Sequence, residues 1–287
     1  MQLGCIKIVR YMSELGAIMV LAIIGSFFGL IGGIIIIYNK KLRGVLSKYS
    51  IPFAAGILVT VALMGILPEA VDMAGESVFS TMLYSFMGAY LFEHLLFSIH
   101  HHERGEKGVH FDTAVPLVIV GDTIHNFIDG VAIAATYIAS PGLGVITAIS
   151  TFLHEVPHEV GDFGILLKAG LSNSKVILIN LFSACATIFG ALIIYYVPQN
   201  NMVIGHLLAI AGGLFLYLGA TDFLPHIHDV NISKNKAMAS LVIGVILMVS
   251  ILSIIPHAHP NQLIDVPVPP SDVISEMSED VDVFSPR

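Results

Sequence analysis

Apolar runs as long as a lipid bilayer is thick leave this chain few ways to fold. Ala17–Tyr38 and Ala237–Ile255 are two such runs, each long enough to cross a hydrocarbon core of about 30 Å at about 1.5 Å of helical rise per residue. The bilayer core has no water to receive backbone N–H and C=O groups, so each run must close its own hydrogen bonds as a helix. Charge is correspondingly scarce. Only 12% of the 287 residues are charged, against about 25% in a soluble domain, so half of the usual solvated surface is missing. The sequence is that of an all-α, polytopic membrane protein. Two cysteines, Cys5 and Cys185, exclude a disulfide framework and a cysteine-type zinc site. The net charge of −8 says little about partners, because much of the acid lies in one tail. No nucleic-acid partner is expected.

The hydropathy pattern predicts eight spans, at 15–38, 51–73, 78–100, 113–138, 143–168, 175–197, 202–226 and 237–255. The expected organisation is an external segment 1–14, a transmembrane domain 15–255 and an acidic, disordered external tail 256–287. Within it, 101–112 forms a cytoplasmic loop that carries His101, His102 and His110, next to His100. Lys7 and Arg10 precede a run of full spanning length with no small-residue cleavage site after it, so no cleavable signal peptide is expected. Lysine and arginine are retained on the cytoplasmic side of a membrane. Ten of them (Lys40, Lys41, Arg43, Lys48, Arg104, Lys107, Lys168, Lys175, Lys234, Lys236) fall in loops of one side, against Lys7, Arg10 and Arg287 on the other. Both termini are therefore expected outside the cytoplasm, with the plasma membrane as the expected location.

The chain also repeats itself. A shift of 157 residues lays Gly56, Leu67-Pro68 and Asp72 on Gly213, Leu224-Pro225 and Asp229, and Ser26 and Gly33 on Ser183 and Gly190. Spans 2 and 7 run in opposite directions, so the copies form an inverted repeat, with spans 1–3 and 6–8 as partners around spans 4–5. Inverted repeats are common in secondary transporters, whose sites lie near the repeat interface. Gly25, Gly29 and Gly33, four apart, give span 1 a close-packing face.

Spans 4 and 5 carry what ordinary membrane helices do not. Span 4 holds Asp122, His125, Asn126 and Asp129, and span 5 holds His154, Glu155, His158, Glu159 and Asp162. One acidic residue at a helix centre costs about 2.5–3.5 kcal/mol of insertion, so five require water, a partner charge or a cation. Spacing favours a cation. Residues three or four apart share a helix face, which aligns His125 with Asp129, His154 with His158 and Asp162, and Glu155 with Glu159 and Asp162. Imidazole and carboxylate together suit zinc and its first-row neighbours, and facing helices are a known frame for such ligands. Pro157 withdraws the N–H that Leu153 would receive, so a kink and open space beside the ligands are expected.

His125-Asn-Phe-Ile-Asp129-Gly, followed by His154-Glu-Val-Pro-His158-Glu-Val-Gly-Asp162-Phe, resembles the signature pair of the ZIP (Zrt/Irt-like) metal transporters, and within them the LIV-1 branch. The similarity is strongest from Gly121 to about Ala184. It implies eight spans with external termini, metal moving toward the cytoplasm, and a transport site at His125, Asp129, His154 and His158. It also implies an adjoining position that uses Asn126, Asp129 and Glu155. Relatives often have a bridging carboxylate where His158 stands, and an acid and a histidine where Val61 and Gly65 stand. A neutral imidazole offers one free lone pair, so one tight ion is expected, with any second held weakly by Asp129 and Glu155. Asp222 and His226 on span 7 are the expected substitutes along the path, and Asp122, Glu159 and Asp162 the other accessory groups. Zinc is the expected substrate, with iron, manganese and cadmium as other divalent ions that suit these ligands. Partners are then the ions and the bilayer, with a homodimer left open, and no enzymatic activity is expected. His154-Glu155-Val156-Pro157-His158 also fits the His-Glu-x-x-His pattern of zinc proteases, which makes an intramembrane metalloprotease the alternative from another class. A metal-gated channel would use the same ligands.

Overall fold

The computed structural model describes residues 13–101, 111–198, 200–226 and 232–255. The expectations for the N-terminal segment, most of the histidine-bearing loop and the acidic tail lie outside these residues. Helix is the dominant element throughout. Eight helical stretches follow one another among the described residues: α1 (Glu14–Phe27 and Leu30–Tyr38), α2 (Lys40–Val61, Ala62–Ile66 and Leu67–Ala74), α3 (Ser77–His101) and α4 (Phe111–Ala139) come first. They are followed by α5 (Pro141–Lys168), α6 (Asn173–Tyr195), α7 (Asn201–Tyr217, Leu218–Phe223 and Leu224–His226) and α8 (Lys234–Ile254).

Local chemistry sets the ends. Ser13 caps α1 by accepting from the Gly16 N–H, and Asn200 caps α7 by accepting from Val203, each satisfying an amide with no intrahelical partner. Gly75 and Gly170 take φ of 71° and 87° in the α2–α3 and α5–α6 turns, a region that side chains disfavour. The stretch around Lys40–Lys48, expected as a loop, is the first part of α2. Asn39 ends α1 and its side chain accepts from Lys41 and Leu42 N–H, so the helix restarts as soon as the previous one stops.

Polarity is reversed relative to a soluble protein. Phe182 is 77% and Phe189 63% exposed, whereas Asp129, His154 and Glu155 are fully buried. Apolar side chains outward and charge inward is the arrangement a lipid surround selects. Among the described residues, six helices are long and apolar enough to cross a membrane: Glu14–Ile35, Lys48–Ala74, Val118–Ala139, Asn173–Tyr195, Asn201–Thr221 and Lys234–Ile254. The protein is thus a multi-pass integral membrane protein. Neither α3 nor α5 is among the six, and α5 carries His154, Glu155, His158, Glu159 and Asp162 in its apolar stretch.

The two copies of the sequence match share a local distortion. In α2 the turn Ala62–Ile66 is π-helical and the Leu67 N–H donates to the Ala62 carbonyl. In α7 the turn Leu218–Phe223 is π-helical and the Leu224 N–H donates to Gly219. Both pairs are related by the 157-residue shift, and in both a proline follows at once. Proline lacks the N–H that would serve the carbonyl four residues back, and a wider turn is one way for a helix to absorb that loss. The copies also pack alike. Gly56 lets α2 approach the Leu241 carbonyl of α8, and its counterpart Gly213 lets α7 approach the Met82 carbonyl of α3. Ser240 donates to the Tyr49 carbonyl at 2.7 Å, tying α8 to α2, while Ser85 donates to the Ile210 carbonyl at 2.8 Å, tying α3 to α7.

Candidate metal centre

Ser140 alone separates α4 from α5. With Pro141 at the first helical position, favoured there because its missing N–H is not needed, the chain turns back at once. Gly144 then lies against Tyr137, and farther from the turn His125 meets Glu155 and Asp122 approaches His158. The acids and imidazoles of two successive segments are thereby zipped together. From the other side, Gly29 and Gly32 of α1 press on Glu155 and Val156 of α5. The glycine face predicted for α1 is the seat of the helix that carries half of the four-residue cluster at the centre.

Four groups converge at the centre. His125 Nε2 lies 3.0 Å from Glu155 Oε1 and 3.8 Å from Asp129 Oδ2. His154 Nε2 lies 3.2 Å from Asp129 Oδ2 and 3.3 Å from His125 Nε2. The His154 Nδ1 lies 2.9 Å from the Ser150 carbonyl, which can only accept, so Nδ1 holds the proton and Nε2 turns a lone pair inward. All four residues are buried, and the carboxylate oxygens face imidazole nitrogens. Two carboxylates buried this close together are strongly unfavourable unless positive charge, from a proton or a metal ion, sits between them. Zinc bound tetrahedrally at about 2.0–2.1 Å sets its ligand atoms about 3.3 Å apart. Three of the four measured separations fall within 0.3 Å of that figure.

His158 is turned elsewhere. Its ring stacks on His125, centroids 4.4 Å apart and planes 8° from parallel, while its Nδ1 points to Asp162 Oδ2 at 3.4 Å and Asp122 Oδ1 at 3.9 Å. Asn126 is committed too. Its Oδ1 accepts from Ser26 at 2.7 Å and Thr187 at 3.0 Å, and its Nδ2 donates to the Asp122 carboxylate at 2.9 Å and the Asp122 carbonyl at 3.2 Å. It joins α1, α4 and α6 rather than facing the four-residue cluster. Glu159 is buried and its oxygens have no partner. Asp222 lies in the π turn of α7 and His226 at the end of that helix, their side chains outside the described residues.

Open space does occur beside Pro157, as a cavity of about 280 Å³ lined by Val45, Tyr49, Phe53, Leu153 and Val156 among others. No candidate ligand lines it, so it lies on the apolar face of α5 turned to α2. Ser26 and Thr187 as clamps on Asn126, and the Ser150 carbonyl that fixes His154, are not marked by any motif in the sequence. A signal existed in part: hydroxyl residues inside apolar runs are enriched where helices touch. Removing both donors with Ser26→Ala and Thr187→Val leaves a buried carbonyl oxygen unpaired, which costs about 1–3 kcal/mol. A lowered thermal unfolding midpoint of the purified double variant is the expected result.

The family model of the ZIP zinc transporters matches residues 98–252, just over half of the chain. The chain is similar to zinc transporter ZIP10 of Mus musculus, 47% identical over 111 residues, which are 38% of this chain and 13% of that protein. It is similar to zinc transporter ZIP4 of Mus musculus, 41% identical over 114 residues, 40% of this chain and 17% of that protein. Metal cation symporter ZIP8 of Rattus norvegicus is 40% identical over 126 residues, 44% of this chain and 27% of that protein. The chain thus spans roughly an eighth to a quarter of the length of these relatives.

Proposed function

The chain belongs to the ZIP zinc transporter family, and from that premise we propose that it carries divalent metal ions, zinc foremost, through the buried cluster of His125, Asp129, His154 and Glu155. The observation that supports this most is the convergence of two imidazole nitrogens and two buried carboxylates at near-tetrahedral spacing inside a lipid-facing bundle. Two imidazoles favour zinc, and iron, manganese and cadmium suit the same ligands. In this reading all eight helices cross the membrane, both termini lie outside the cytoplasm, and the plasma membrane is the host. The matching π turns support α1–α3 and α6–α8 as an inverted repeat, against which the α4–α5 hairpin moves to open the site to either side in turn.

A protease reading needs His154 and His158 on one ion with Glu155 as base. The two histidines turn to different partners here, and Glu155 sits beside His125, which supports the carrier instead. The test is zinc uptake by sealed proteoliposomes that contain the purified protein and an internal zinc dye. Imidazole must be neutral to bind metal, and its ordinary pKa is about 6.5. Uptake should therefore be fastest near pH 8 and fall as the pH drops to 5. A rate that stays flat over that range would overturn a histidine-based site. No uptake by folded, correctly oriented protein would overturn the carrier, and peptide cleavage lost in Glu155→Gln would then favour the protease.

A further inference from the structure

Three groups next to the four-residue cluster make a second arrangement of ligand atoms. Asp122, His158 and Asp162 each offer one, all within 4.8 Å of one another. Asp122 is only 2% exposed, and its Oδ2, the Asp162 Oδ2 and the His158 Nδ1 are buried without hydrogen-bond partners. Two buried carboxylates and an imidazole nitrogen thus lie together, a donor set that a cation between them would satisfy.

The two sets differ in ways that give them different tasks. The first is closed by four protein groups, all nearly inaccessible. The second has three, and its His158 and Asp162 side chains are 18% and 13% exposed, so water can complete the shell of an ion held there. Three protein ligands with open positions bind an exchangeable ion, whereas four around a tetrahedral ion close the shell. One imidazole with two carboxylates is also a harder set than two with two, less selective for zinc over manganese or iron. The sets share a wall, since the His125 and His158 rings are stacked 4.4 Å apart. Asp122 lies one turn beyond His125, and Asp162 one turn beyond His158, both toward the end of the hairpin where Lys168 is exposed.

We propose that Asp122, His158 and Asp162 form a second, partly hydrated position for the transported divalent ion, on the cytoplasmic side of the first. This rests on the reading of the first cluster as an ion site and on the orientation set by the lysines. An ion leaving His125, Asp129, His154 and Glu155 exchanges two imidazoles for one and regains water before it departs. His158, with one lone pair to give while neutral, serves this second position through Nδ1.

Zinc binding to the detergent-purified full chain tests the proposal. Wild type is expected to bind two ions, one more weakly. Asp129→Ala/His154→Ala should keep only the weaker ion, and Asp122→Asn/Asp162→Asn only the tighter. X-ray absorption on zinc bound to Asp129→Ala/His154→Ala should count one imidazole, a readout that survives if the asparagine variant fails to fold. Two imidazoles around that ion, no ion at all in that variant, or two ions retained by a folded Asp122→Asn/Asp162→Asn protein would each overturn the second position. Two ions with unchanged affinities in Asp129→Ala/His154→Ala would instead overturn the first cluster and leave the second standing.

Discussion

His154→Ala is expected to reduce zinc influx into sealed proteoliposomes to the leak of protein-free vesicles. His154 is fully buried, and its Nε2 meets both Asp129 and the His125 imidazole. Removal of the ring takes one of the four proposed ligands and leaves the other three facing a void. Even partners that only orient a metal ligand change affinity by about 10–100-fold when they are lost, so losing the ligand itself should exceed about 100-fold. Asp129→Asn removes charge with almost no change of volume, and it should abolish influx while leaving the packing intact. Both variants remain helical bundles, because each trades a buried charge or ring for a less polar group and neither residue caps a helix. Influx at the wild-type rate in both, with protein shown to be inserted, would remove this cluster from the transport path.

The chemistry of spans 4 and 5 was legible because charge is so improbable at that depth. Five acids and three histidines at helical spacing announce a buried polar cluster without any knowledge of contacts. How they divide was not legible. The stripe His154, His158, Asp162 reads as one face, yet its ends are eight residues apart, about 12 Å along a helix, too far for one ion. The structure splits it between His154, turned to Asp129, and His158 and Asp162, turned to Asp122. Asn126 shows the same limit. The family resemblance implies it as a ligand, but its oxygen is taken by Ser26, 100 residues away, and by Thr187, 61 away. No local pattern encodes such pairings. Leu67-Pro68 and Leu224-Pro225 mark where the helices must adjust, but not that both adjust by a π turn.

Gly29→Leu should damage zinc binding nearly as much as loss of a ligand, although Gly29 ligates nothing. The repeat of Gly25, Gly29 and Gly33 predicted a close-packing face. A Cβ at Gly29 would stand 2.5 Å from the Glu155 Cβ. That atom is fixed to its helix, and a rotamer change cannot move it aside. With leucine there, α1 must lift from α5 or α5 must shift, and Glu155 then leaves its place 3.0 Å from His125. Overpacking of this kind costs about 1–3 kcal/mol, which a bundle with six strongly apolar helices should survive. The expected signature is a folded protein whose zinc affinity, measured by dye competition, has fallen at least about 10-fold, the scale at which orienting partners act on a metal site. Gly44→Leu is the control, since a Cβ there meets nothing within 4 Å, and it should bind as wild type does. Unchanged affinity in Gly29→Leu would mean that Glu155 is held by α4 and α5 alone. The glycine face would then serve assembly of the bundle and not the geometry of the ion site.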